Sequence, residues 1–555
     1  MTEGPRALPA PAERRRGLDA HHHPWRHQSL GGLFEAAAAQ VPNRPIVLTE
    51  GREISYGEMA RWARRLAAGL ADSGLGVGDH IALLMANGPE FVAAKLAVAL
   101  LGAVAVPLNF NLLRDELHYV VRQSKARALI AMDGFQGRDY VADLEAIAPP
   151  GLELFIHPLA GIPHRWRTIA ALEVDSTRFE PAAVRPDQLS DVIYTSGTTG
   201  LPKGVMLTHD MVLRTGFASA RVRAFQDGRR LLFAAPMYHV HGYVECLVAC
   251  LFVGGAVIPQ AKFNAAALLD LAVRHRADEI SGVPTLTEKL LDSARERGFP
   301  RGSVAAVFNT GSANRPEIWR EIRELLGPAE ILTAYGMTET TASTTCTLPE
   351  GEGDRLLSTN GCLKDAGPAA PDPADPHLAR YKAIDPVSGA DLSPGSTGEL
   401  VVRGPGVTAG YFDKPEETAA AFTPDGWLRT GDLGRIGADG YLKLSGRIKE
   451  TFRCGGETVM PREIEALLET ADGVAQAIVV GVPDPRMGEV GCACIVAGGA
   501  RPSTAALTEL CEGRLARFKV PRHFLFFEAD EIPLTPTGRP RKYQLAELAR
   551  ARLGG

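Results

Sequence analysis

The sequence is sparing with cysteine, with net charge and with long apolar runs, and each scarcity closes off a class of protein. Eight cysteines among 555 residues, with no apolar leader ahead of them, read as reduced cytosolic thiols rather than a disulfide framework. Cys492-Ala493-Cys494 could suggest half a metal site, but it sits in the apolar run Val490 to Ala497 with no matching ligand pair after it. A buried strand is the better reading. The formal net charge of −5 offers nothing to a polyanion, so nucleic-acid binding is disfavoured and any anion site must be a local basic patch. The longest apolar run, Leu96 to Leu108, is shorter than the ~20 residues that cross a bilayer. Met1 to Gln28 is rich in Pro, Ala, Arg and His and lacks the apolar core of a signal peptide. It predicts a disordered tail, in which Arg14-Arg15-Arg16 is solvated and His21-His22-His23 could bind a metal opportunistically. A cytoplasmic protein is expected.

What is present points to layered α/β architecture. The length predicts several domains, because single cores stop growing near ~250–300 residues. Hydrophobic and charged fractions of 45% and 23% are ordinary for a globular protein. A helix is predicted from Ile54 onward with Leu66, Ala67 and Leu70 on one face. Gly74 to Asp79 lacks the third glycine of a dinucleotide loop and reads as the turn into a strand, His80 to Met85. Phe91 to Gly102 reads as helix and Ala103 to Leu108 as strand; Arg230 to Ala235 and Ala305 to Phe308 continue the alternation. Helix and strand alternating in this way predict a mainly parallel sheet. The Pro-rich span Ala366 to His377 predicts an exposed connection. Short β-like segments follow from Tyr381 to Ser445, and a compact α/β pattern restarts at Lys449. The expected division is a tail over 1–28, a large domain over 29–448 and a small one over 449–555.

The chemistry centres on Tyr194-Thr195-Ser196-Gly197-Thr198-Thr199-Gly200-Leu201-Pro202-Lys203-Gly204-Val205. The apolar run Leu189 to Tyr194 before it can enter a sheet as a buried strand. Three glycines let the backbone approach a ligand. Consecutive N–H groups, hydroxyls and a lysine then suit an anion such as a polyphosphate. The spacing differs from a Walker A loop, where Gly-Lys-Ser/Thr closes a Gly-x-x-x-x frame. From these residues alone, a polar surface turn remains the alternative.

YTSGTTGLPKGV resembles the signature of the adenylate-forming superfamily, which includes acyl-CoA synthetases, peptide-synthetase adenylation domains and firefly luciferase. Further motifs extend the resemblance from about Leu30 to Leu548. It implies a large N-terminal domain of two flavodoxin-like α/β subdomains and a small distorted β-barrel, followed by a small mobile C-terminal α/β lid. The implied reaction uses ATP to convert a carboxylic acid to an acyl-adenylate, releasing pyrophosphate, and then passes the acyl group to a thiol. Carried over residue by residue, Thr195, Ser196, Gly197, Thr198, Thr199, Gly200 and Lys203 hold phosphates. In Tyr335-Gly336-Met337-Thr338-Glu339-Thr340, Glu339 holds Mg²⁺, Thr338 meets phosphate and Tyr335 stacks on adenine beside Gly336. Gly311, Ser312 and Ala313 form the adenine-side wall, where the following Asn314-Arg315 departs from a common Pro-Leu. Asp432 takes the ribose hydroxyls and Arg447 contacts the ribose.

Pro236 to Gly242 matches the acyl-pocket entrance, with His239 as gate and Tyr238, Tyr243 and Gly336 as pocket residues; His241 could equally be a core histidine. No aspartate stands there to greet an α-amine, which favours fatty or aryl acids. Glu450 matches the hinge residue, usually Asp. Cys454-Gly455-Gly456-Glu457 matches the lining of the pantetheine channel, and Arg453 is a candidate CoA phosphate contact. The main departure is Arg539, which stands where the family keeps its adenylation lysine. That residue stabilises charge in the transition state, and the exchange is not conservative at a tight site. Lys542 is the fallback cation. The expected protein is therefore an AMP-forming acyl-CoA synthetase using ATP, Mg²⁺ and CoA. The rivals are a ligase that loads a carrier protein, and an adenylation-impaired acyl or nucleotide binder. A homodimer is compatible with the sequence but not legible in it.

Overall fold

The computed structural model describes residues 8–147, 152–157, 166–195, 201–310, 316–351, 353–455, 457–534 and 539–554. The chain forms two compact units, Met1–Arg380 with Arg403–Gly426, and Tyr381–Val402 with Trp427–Gly555.

The first unit is built on two seven-stranded sheets. One runs in the order Glu330–Leu332, Ala306–Asn309, Glu279–Gly282, Arg230–Phe233, Ala256–Pro259, Pro45–Leu48, Glu53–Ser55. The other runs Lys203–Thr208, Leu189–Thr195, Val104–Pro107, His80–Leu84, Ala128–Met132, Glu153–His157, Arg167–Thr168. Each is parallel apart from one antiparallel edge strand, Glu53–Ser55 and Lys203–Thr208 respectively. Parallel strands are covered on both faces, which is why His80–Leu84 and Ala128–Met132 are buried along their whole length.

The helix Tyr56–Asp72 begins where expected, because Ser55 and Glu58 form a reciprocal capping box. Leu66, Ala67 and Leu70 are on its buried face. Helix Pro89–Leu101 is buried all round except at Glu90, as a helix enclosed by other elements must be. Its one cation, Lys95, meets Asp191 Oδ1 at 2.5 Å. A single core cluster joins these helices to strands of both sheets, through Val47 and Val257 on one side and Ile81 and Ile193 on the other.

Two expectations for this unit are corrected. Residues 8–28 are not a disordered tail: Pro11–His22 is a helix. Arg14 is buried and pairs with Glu330, and its Nη1 also donates to the Ala224 carbonyl at 2.6 Å. Arg15 reaches Glu350, with Nη2 2.8 Å from Oε2, and Asp19 holds Arg221 at 2.8 Å. Residues that look solvated in sequence find partners about 200–330 positions away, and no local pattern reveals that. Likewise the start of the Pro-rich span is not exposed, since Ala366 and Ala369 join the main core.

The second unit holds an antiparallel sheet, Arg380–Ile384, Gly398–Arg403, Leu428–Ile436, Leu442–Arg447. A mixed sheet follows, Glu457–Val459, Phe452–Cys454, Gly488–Ala497, Val474–Asp484, with His523–Phe527 parallel to Gly488–Ala497. Cys492 and Cys494 are fully buried in that central strand, and no cluster of three His, Cys, Asp or Glu able to hold a metal occurs among the described residues. Within this unit, helix Pro461–Leu468 packs against strand Leu442–Arg447.

Candidate active site

The glycine-rich stretch connects two strands that pair antiparallel. Thr195 and Lys203 are Cα partners at the facing ends of Leu189–Thr195 and Lys203–Thr208. Ser196, Gly197, Thr198, Thr199 and Gly200 lie outside the described residues, as do Gly311, Ser312, Ala313 and Gly456. Antiparallel pairing gives the loop a strand on each side, unlike the strand–loop–helix of a Walker A site. Gly204 must be glycine, because a Cβ there would sit 2.6 Å from Val192 Cγ1.

Lys203 does not stand alone. Its Nζ lies 4.8 Å from the centroid of the Tyr411 ring, and the Tyr411 hydroxyl donates to Glu339 Oε1 at 3.0 Å. The phosphate-loop lysine and the motif carboxylate thus meet on one tyrosine, which the sequence motifs did not single out. Burial first, then the Glu339 charge, pushes the Tyr411 hydroxyl well above its ordinary pKa, so it stays a donor. Backbone bonds fix the arrangement. Phe412 N donates to Gly204 O at 2.7 Å and Thr408 N to Glu339 O at 2.8 Å. Val205 and Tyr411 form an antiparallel bridge.

Tyr335 and Gly336 lie on strand Ala334–Met337, and Thr338 opens the 3₁₀ turn Thr338–Thr340 that carries Glu339. Gly336 is required by packing, because a Cβ there would meet Ala342 O at 2.0 Å. The close approach of the neighbouring strand leaves no room for a side chain there.

The acyl-entrance residues separate. His239 is half-buried, its ring 4.6 Å from that of Tyr238. Tyr238 packs edge-on against Phe110 at 4.9 Å and accepts from Asn111 Nδ2 at 3.4 Å. Tyr243 is corrected outright: it is 0% exposed, and its hydroxyl donates to Asp191 Oδ2 at 3.1 Å. A fully buried side chain supports the wall without lining it. His241 sits 2.9 Å from Ser281 Oγ and stacks on Phe308 at 5.9 Å. Burial depresses its pKa to about 4, which keeps the ring neutral, and the residue is only partly buried.

Beneath this segment runs a polar network that no motif announced. Glu245, on the wide-turned helix His241–Val248, takes Lys364 Nζ at 3.0 Å and Ser343 N at 2.9 Å. Arg223 and Arg229 clamp Glu279 at 2.5 and 2.6 Å. Burial alone would raise the Glu245 carboxyl, but Lys364 and Arg223 outweigh it and hold it at about 2. Only tertiary contact reveals this network, since Glu245 and Lys364 are 119 positions apart.

In the second unit, Asp432 and Arg447 are cross-strand partners, with Arg447 Nε 2.9 Å from Asp432 Oδ1. The carboxylate is 3% exposed, and its conjunction with Arg447 gathers the two expected ribose contacts at one spot. Glu450 ends the turn Ile448–Glu450 and meets Lys542 Nζ at 3.2 Å. Arg453 is exposed, with its backbone N on Glu489 Oε2 at 3.1 Å. Gly455 has φ +61°, a left-handed backbone that favours glycine. Arg539 is half-buried.

The family description "AMP-binding enzyme" matches residues 34–412, and "AMP-binding enzyme C-terminal domain" matches 463–539. The putative acyl-CoA synthetase YngI of Bacillus subtilis is 33% identical over 94% of this chain and 97% of its own. ATP-bound MatB from Rhodopseudomonas palustris is 30% identical with a TM-score of 0.81, covering 94% of this chain and 99% of that one. The o-succinylbenzoate CoA synthetase MenE from Bacillus subtilis, in complex with the acyl-adenylate intermediate OSB-AMP, is 27% identical with a TM-score of 0.78, covering 92% and 97%.

The chain belongs to the AMP-binding enzyme family. It is an AMP-forming acid–CoA ligase: ATP activates a carboxylic acid as its adenylate, pyrophosphate leaves, and CoA takes the acyl group. Among the described residues, no helix is long and apolar enough to cross a membrane.

Proposed function

We propose that this ligase acts in the cytoplasm on a carboxylic acid without an α-amine, either fatty or aryl. The observation that carries the reading is the joint hold of Tyr411 on Lys203 and Glu339. It sets a cation for phosphate and a carboxylate suited to a metal at one end of the glycine-rich stretch. A buried carboxylate fits Mg²⁺, which is commonly held by one or two carboxylates plus substrate phosphates. When bound, the ion screens phosphate charge. Glu339 would hold it, with Thr338 and the hydroxyls of the 195–200 stretch oriented to the phosphates and Lys203 on their outer oxygens. Tyr335 stacks on the adenine, Asp432 takes the ribose hydroxyls, and Arg447 orients Asp432.

The substrate carboxylate attacks the α-phosphorus in line and pyrophosphate leaves. No side-chain nucleophile is needed, so positioning and charge stabilisation do the catalysis. Arg539 supplies the positive charge that the family usually takes from lysine. The C-terminal part from 449 then turns about Glu450, and the CoA thiol attacks the adenylate carbonyl, expelling AMP; Gly455 and Gly456 flank the pantetheine and Arg453 meets a CoA phosphate. The preference for acids without an amine is supported by Glu245. It is the acidic residue nearest in sequence to the Pro236–Gly242 entrance, and Lys364 and Arg223 already engage it.

A hydroxamate-trapping screen across short, medium, long, aryl and dicarboxylic acids, beside a panel of amino acids, tests the reading. Trapped product with fatty or aryl acids is expected. Turnover confined to amino acids would overturn the substrate class.

A further inference from the structure

Tyr411 touches two charges of opposite sign, through two different parts of its side chain. Its hydroxyl donates to Glu339 Oε1 at 3.0 Å; its ring faces the Lys203 ammonium at 4.8 Å. Lysine and glutamate this close to one side chain would ordinarily be drawn into an ion pair, and such a pair would oppose phosphate and metal entry. The tyrosine satisfies both separately, the anion by a hydrogen bond and the cation by the ring quadrupole.

The backbone at Tyr411 is held independently of the side chain. Its N–H donates to Thr418 Oγ1 at 3.0 Å, and the flanking bonds from Phe412 to Gly204 and from Met206 to Gly410, at 2.7 and 3.2 Å, zip the segment onto strand Lys203–Thr208. Thr408 repeats the theme: its N–H holds the Glu339 carbonyl, and its Oγ1 donates to Met206 O at 2.7 Å. Gly410 has φ +145°, and a Cβ there would meet Thr418 Cγ2 at 2.3 Å. The chain is thus committed to presenting Tyr411 at this point.

We propose that Tyr411 is a positioning residue that keeps Glu339 and Lys203 apart and oriented, so that metal-bound ATP meets both ready-placed. The proposal rests on Glu339 as the metal carboxylate. Tyr411→Phe keeps the ring and removes the hydroxyl; Tyr411→Leu removes both.

Calorimetric titration with ATP, without any acid so that nothing turns over, separates the two roles. Titrations run across a magnesium series and in EDTA. For Tyr411→Phe, the magnesium concentration that half-maximally strengthens ATP binding rises about tenfold, while affinity in EDTA stays within about twofold of wild type. For Tyr411→Leu, affinity in EDTA also falls about fivefold, because Lys203 has lost its ring. Glu339→Gln serves as the control.

If Glu339→Gln shifts the magnesium dependence and Tyr411→Phe does not, the tyrosine proposal is wrong and the metal reading stands. If neither variant shifts it, both are wrong. Equal weakening of Tyr411→Phe in EDTA and in magnesium, with a lowered unfolding midpoint, would show a merely structural tyrosine and also overturn the proposal. The Tyr411→Phe arm stands by itself should the leucine variant not fold.

Discussion

Lys542 is held by two carboxylates, with its Nζ 3.2 Å from Glu450 Oε2 and 2.6 Å from Glu465 Oε1. Glu465 is 3% exposed and also accepts from Val479 N at 2.9 Å. The lysine three residues after Arg539 is therefore part of the scaffold around the Ile448–Glu450 turn, which weakens its claim as the adenylation cation.

Arg539→Ala should lower acyl-adenylate formation by about 100-fold or more, the scale of losing a preorganised charge at a developing anion. CoA transfer from a pre-made acyl-adenylate should fall far less. Pyrophosphate exchange and thioester release, measured separately, check this. Lys542→Ala should instead lower the unfolding midpoint, since it removes the nearer of two cations at buried Glu465, leaving Arg462 3.6 Å from the other oxygen. Unchanged exchange in Arg539→Ala would return Lys542 to candidacy.

Asp432 and Arg447 sit opposite each other on neighbouring strands, so their losses should not add. Asp432→Ala should raise KM for ATP by about tenfold or more, with KM for the acid unchanged, because hydrogen bonds to a charged acceptor contribute about 1.5–3 kcal/mol. The double variant with Arg447→Ala should cost little beyond the worse single one, as expected of groups sharing one contact. Steady-state kinetics on the two singles and the double give the coupling.

Lys364→Met should destabilise by about 3–5 kcal/mol, because it leaves the Glu245 carboxylate buried with its main cation removed. Adding Glu245→Gln should recover part of that loss. Denaturant unfolding measures both. A loss below about 1 kcal/mol for the single variant would mean that Arg223 and the hydroxyls of Ser219 and Ser343 suffice.

His22 and His209 are both buried, and burial lowers each pKa from 6.5 to about 4. In the unfolded chain they bind protons below about 6.5, whereas the folded chain refuses them until about 4. The unfolded state therefore holds more protons across that window, and stability must fall as pH drops from 6.5 to 4. His209→Gln removes one of the two groups and should make the slope shallower. Unfolding midpoints at half-unit intervals would show it; equal slopes in the two proteins would contradict it.

The family was readable along the chain because it is carried by contiguous motifs, in which glycine, threonine, lysine and glutamate stand at fixed offsets. Strands such as His80–Leu84 and the capped helix at Ser55 were equally legible, since apolar runs and capping residues act over a few positions. Tertiary structure alone decided the rest. Arg14 reads as one of three solvated arginines until Glu330 is brought to it, and Tyr243 reads as a pocket wall until Asp191 claims its hydroxyl. Tyr411 became a site residue only when strand Lys203–Thr208 paired with a segment some 200 positions later. Burial and long-range pairing are properties of the packed chain, and a local sequence pattern carries no term for them.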